Sequence, residues 1–185
     1  MMTDQEVTQE QYEKLLDDVS YLGDEAEALQ YVIDRVPHSE DPPNGLSIYW
    51  TLKLIDHAQV NYYRPIIEQI FAENRLLDLS DFEEYNDTFE QDQDDKEKDI
   101  QKVLRKIIKH RAALLNVVKK IPLIDWERGV KNQSGRIITL YDFVQEMIRE
   151  ERKHLKEIAD LILVYQNEKM MQKEINAKAE KRNTN

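Results

Sequence analysis

Glu150 and His154 stand four residues apart in the stretch FVQEMIREERKHLKEI. On a helix that spacing puts a carboxylate and an imidazole on one face, where both can converge on a single cation. The apolar pattern around them gives the pair its interest. Leu140, Val144, Met147, Ile158, Leu161 and Tyr165 form a continuous stripe, and the steps missing between Met147 and Ile158 are filled by Glu150 or Glu151 and by His154. A carboxylate in an apolar core costs several kcal/mol unless it is paired, hydrogen-bonded or bound to metal, so a compensating partner is expected.

Three other histidines can supply a further ligand. His38 lies in a Pro-rich loop and reads as exposed. His57 lies about one turn from both Leu54 and Val60, so it faces inward or along an edge. His110 falls between Ile107 and Leu114 and reads as a hydrogen-bonded core histidine. Glu151, beside the pair, and Glu146, one turn before Glu150, are candidate general bases, although each is more in keeping with a solvated face. The chain has no cysteine, which excludes a disulfide framework, a thiolate metal site and a cysteine nucleophile. No pattern for a Ser/His/Asp triad, a P-loop or a GxGxxG turn is present either.

The elements that must position these groups are helices. With 185 residues, 4 Gly and 5 Pro, the chain is long enough for one core and poor in the residues of a loop-rich β fold. A first helix is predicted from about Gln9 to Val36, ended by Pro37 and a loop through Leu46. Ser47 caps a second, central helix from Ile48 to Asn74, and Pro65 within it predicts a kink but no break. A third helix runs from Ile100 until Pro122 stops it. Residues 126–138 read as a loop that includes a short β-ribbon. Thr139 then caps a fourth helix, with Asp142 as its capping-box partner, that reaches about Tyr165 or beyond. The fold class expected is all-α, an up-and-down four-helix bundle in a single domain over 1–170, with a frayed polar tail over 171–185.

Charge narrows the function classes. The 26 Lys and Arg against 37 Asp and Glu give a net charge of −11, which repels phosphate backbones and argues against a nucleic-acid partner. Eleven acids and two lysines between Asp78 and Asp99 account for −9 of it. That segment reads as a solvated connector or, with Phe82, Tyr85 and Phe89 as anchors, as a lid across a pocket. No apolar run approaches the ~20 residues of a spanning helix, and the opening MMTDQEVTQEQYEK has neither a basic region nor an apolar one. A cytoplasmic protein with no membrane partner is expected.

The stretch LKLIDHAQVNYYRPI around His57, the connector IPLIDWERGV and the segment GRIITLYDFVQEMIREERKHLKEI resemble the DinB/YfiT-like four-helix bundles, metal-dependent proteins of bacteria, over about Gln9 to Tyr165. The resemblance implies a metal held by one His of the second helix and two His four apart on the last. His57 matches the first position and His154 the last, while Glu150 stands where the family has its other His. The implied cofactor is a divalent ion, Zn²⁺ or Ni²⁺ before Mn²⁺ or Fe²⁺, on His57, Glu150 and His154. The implied chemistry is hydrolysis or thiol transfer on a small-molecule substrate, with a thiol as cosubstrate in the second case. A homodimer is the expected assembly. The competing class is a non-catalytic helical interaction module or dimer that has lost metal binding.

Overall fold

The computed structural model describes residues 6–82 and 99–183. Helix α1 (Gln9–Gln30) starts on a reciprocal cap, in which Gln11 N–H donates to Thr8 Oγ1 (3.2 Å) and Thr8 N–H donates to Gln11 Oε1 (2.9 Å). Its buried face is Leu15, Val19, Leu22 and Ala26. The apolar stripe continues to Val36, but the α-helix does not. A 3₁₀ turn over Ile33–Arg35 takes over, and it still buries Ile33 and Val36.

Helix α2 (Ile48–Ala58) opens on Ser47, whose Oγ accepts from Trp50 N–H at 3.2 Å. The chain stays helical through Pro65, as a π turn (Gln59–Tyr63) followed by α3 (Arg64–Ala72). Proline has no N–H to give the Asn61 carbonyl. The winding loosens just before it, and Arg64 N–H reaches back five residues to the Gln59 carbonyl. The kink predicted at Pro65 thus takes the form of a π turn in a continuous helix.

Strand β1 (Leu77–Asp78) pairs in parallel with β2 (Gly129–Lys131), and β2 pairs antiparallel with β3 (Ile137–Thr139). The β2–β3 ribbon is the one expected over residues 126–138, and Gly135, at φ 78°, closes its turn. Helix α4 (Ile100–Val118) begins on Asp99, whose carboxylate accepts from Lys102 N–H at 3.0 Å. Phe82 packs on the core, while Tyr85 and Phe89, and with them the lid reading, lie outside the described residues.

Helix α5 (Leu140–Asn183) completes the all-α bundle. It continues through the segment expected to be a frayed tail. At its start Asp142 N–H donates to Thr139 Oγ1 (3.0 Å) and Thr139 N–H donates to Asp142 Oδ2 (3.2 Å), which is the predicted cap. Thr139→Ala is expected to cost about 1 kcal/mol in a urea unfolding titration, and an unchanged midpoint would show that this cap contributes nothing.

In the bundle, α1 lies against α4 and α5, and α2 lies against the same two helices from the other side. The apolar interior is split into two clusters. One gathers Leu15, Val19, Leu114, Met147 and Ile66 around Trp126, and the other gathers Leu22, Ile55, Ile107, Leu155 and Ile158 around Trp50. Along α1, α4 and α5 the switch from one cluster to the other falls at one level, and polar residues occupy it.

Candidate functional site

The level between the clusters is held by Arg111 of α4, which is 2% exposed and touches three other elements. Its Nη2 donates to Glu151 of α5, its Nη1 to the Val19 carbonyl of α1 at 3.2 Å, and its Nε to Gln59 Oε1 of the π turn at 3.3 Å. Gln59 passes the chain of bonds on through Nε2 to Asp56 Oδ1 (2.8 Å), which also meets His110 Nδ1 at 2.8 Å. Each nitrogen of the buried guanidinium therefore faces an acceptor. Burial pushes the Glu151 carboxyl above its ordinary value, and the adjacent Arg111 opposes that shift.

One turn further along α5, His154 is 6% exposed. Its Nδ1 lies 3.2 Å from Glu157 Oε2, while its Nε2 is buried and has no hydrogen-bond partner among the described residues. A carboxylate at Glu157 can only accept, so Nδ1 is the donor of this pair, and in that tautomer of the neutral ring Nε2 is the nitrogen with a lone pair. His154 lines a cavity of about 430 Å³ whose wall takes Thr51 and Leu54 from α2, Asn44 and Leu46 from the preceding loop, and Glu157 and Asp160 from α5.

The predicted site residues are distributed unevenly around this cavity. His154 fills a core position, as the missing step in the stripe required. The other step is filled by Glu151, which is 6% exposed and paired with Arg111, and Met147, Glu151, His154 and Ile158 succeed one another by four, three and four along that face. Glu150 lies about 100° round the helix from Glu151. It is half-buried and within 3.9 Å of Lys153 Nζ. His57 is exposed, with its Nδ1 3.1 Å from Asn61 Nδ2. Among the described residues no three His, Asp or Glu side chains are gathered as a metal would need. His57, Glu150 and His154 are therefore not brought together, and within that set the unpartnered nitrogen of His154 is the feature that suits a ligand.

His110 is half-buried and hydrogen-bonded, and the core position between Ile107 and Leu114 belongs instead to Arg111. The spacing marks it, since Ile107, Arg111 and Leu114 follow at four and three. Glu157, nearly one turn beyond His154, is the other residue that sequence reasoning passed over. Its signal is the three-residue spacing that lets a carboxylate reach the histidine ring. Burial also raises the Glu146 carboxyl, against the pull of Arg149, but Glu146 is not among the residues that line this cavity. His38 is half-buried, not fully exposed, and bonds through Nδ1 to Ser39 Oγ at 3.1 Å.

No family model and no curated protein matches the chain. Among solved structures the chain is similar to YfiT from Bacillus subtilis, described as a probable metal-dependent hydrolase with an unusual four-helix bundle topology. The TM-score is 0.69 at 14% identity, and the match covers 87% of this chain and 91% of that one. At that identity the likeness shows the fold alone, a four-helix bundle like that of YfiT, as anticipated from the sequence. No described helix is long and apolar enough to cross a membrane.

Proposed function

We propose that this DinB/YfiT-like bundle is a metal-dependent hydrolase of a small molecule, with its ion taken up at His154 and with His57 and Glu150, which lie apart from it in this structure, turning in as further ligands. The observation that carries the reading is His154, which lines the cavity and whose buried Nε2 has no hydrogen-bond partner among the described residues. An imidazole nitrogen left dry and without a donor loses the hydrogen bonds it had in water, and a cation would replace them. Glu157 supports the same role, since a carboxylate on Nδ1 fixes the tautomer and strengthens the opposite nitrogen as a ligand. Leu54 touches the cavity, and His57 is less than one turn further along α2. Glu150 is one turn before His154 on α5.

A divalent ion held there, Zn²⁺ or Ni²⁺ before Mn²⁺ or Fe²⁺, would lower the pKa of a bound water towards neutrality and polarise a carbonyl. The chain supplies the surroundings. Leu46, Leu54 and Leu161 limit water at the wall, and Asn44 and Lys153 offer donors to a polar substrate. A thiol taken in place of water would turn the same chemistry into transfer, and a product carrying the thiol would identify that form.

Calorimetric titration of the metal-stripped protein with Zn²⁺ and with Ni²⁺ tests the reading. One ion per chain is expected, with uptake lost in His154→Ala and retained in His110→Ala. Glu157→Gln should weaken binding by about 10–100-fold. Glu150→His should keep or strengthen it, because imidazole suits both metals. Binding that survives both His57→Ala and His154→Ala would overturn the proposal.

A further inference from the structure

Helix α5 is longer than the bundle it serves. Its packing on the core ends with Leu161, Ile162 and Tyr165, and every residue from Gln166 to Arg182 is exposed. Those 17 residues run about 25 Å beyond the last packed turn, at 1.5 Å per residue. A single unpacked helix of that length is marginal in water, so its stability calls for a partner.

One face of this overhang carries a regular seam. Val164, Glu168, Met171, Ile175, Lys178 and Arg182 alternate in steps of four and three, the heptad spacing of a coiled coil. Met171 and Ile175, at its middle, are 63% and 57% exposed. We propose that two copies of this chain pair through the seam, α5 against α5, as a short antiparallel coiled coil.

The order of residues along the seam selects both the occupant and the direction. With Met171 set against the partner's Ile175, two-fold symmetry sets Ile175 against the partner's Met171. The next layer outward then places Glu168 against the partner's Lys178 at one end and repeats that pair at the other. Alignment in parallel would instead stack Glu168 on its own copy and Lys178 on its own copy, which is repulsive at both layers. The seam is thus complementary to itself in one orientation only. This pairing is independent of the metal reading, since none of these residues lines the cavity.

The experiment is sedimentation velocity on the full chain at micromolar concentrations. A dimer is expected, and Met171→Glu combined with Ile175→Glu should give a monomer with an unchanged helical CD spectrum. Glu168→Lys or Lys178→Glu alone should weaken dimerisation by at least about tenfold, because each turns two attractive pairs into repulsive ones. The two changes made together should restore it. In this cysteine-free chain, Met171→Cys chains mixed with Ile175→Cys chains should cross-link faster than Met171→Cys chains alone. A wild-type chain that stays monomeric overturns the proposal, including one that instead cosediments with anionic phosphatidylserine vesicles. So does a dimer indifferent to these substitutions, or faster cross-linking of Met171→Cys with itself.

Discussion

Arg111→Ala is expected to lower the unfolding free energy by about 3–5 kcal/mol, the cost of removing one partner from a buried ion pair. The substitution strands Glu151, which is fully enclosed between the two apolar clusters, and leaves the Val19 carbonyl and Gln59 Oε1 without their donor. Urea or guanidinium unfolding monitored by circular dichroism reads the loss. Pairing Arg111→Met with Glu151→Leu should recover most of it, since both charges then leave the interior together and apolar groups of similar size join the flanking clusters. A single variant that loses under about 1 kcal/mol would mean that water reaches this level of the bundle and solvates Glu151.

Phe143→Ala should cost a comparable amount, about 3–5 kcal/mol, through lost apolar burial and the cavity left behind. Phe143 is 1% exposed, and its ring centre lies 5.6 Å from that of Tyr63 and 6.1 Å from that of Tyr62. Those two tyrosines sit at the end of the π turn, so this cluster fastens the loosened winding to the first turn of α5. Phe143→Leu retains most of the volume and should cost far less. Equal losses for the two variants would show that ring stacking, not volume, sets the energy of this contact.

Much of the bundle is legible in the residues. The stripes at three- and four-residue spacing locate the described α-helices, and Ser47 and Thr139 mark two helix starts because their hydroxyls satisfy otherwise unpaired N–H groups. Strand β1 leaves no such trace, since two residues are too few to establish an alternation. The end of α1 is misjudged for a different reason, because a 3₁₀ turn keeps Ile33 and Val36 in the core at the spacing that an α-helix would use.

The site divides along similar lines. His154 is visible as a polar residue where the stripe needs an apolar one. Choosing between Glu150 and Glu151 demands an angular precision that the stripe lacks, and the choice turns on Arg111, which lies on another helix. Pairings across helices depend on which faces meet, and periodicity within one helix carries no record of that. Arg111 itself could have been found by counting from Ile107 and Leu114, which is how its neighbour His110 came to be credited with the inward place.

The π turn bears on what kinds of sequence change the chain can accept. A wider turn holds one residue more than regular winding would, so it behaves as an absorbed insertion. It sets back the phase of everything after it by roughly 100°. Ile66, Ile67 and Ile70 reach the core only with that setback, and Gln59 reaches Arg111 from its first position. Deleting a single residue from this turn would leave a more regular helix and a worse protein, because those isoleucines would swing away from the interior. Point substitutions such as one at half-buried Val60 would leave the phase intact. The segment is therefore tolerant of changes in residue type and intolerant of changes in length, the reverse of what holds for most surface loops.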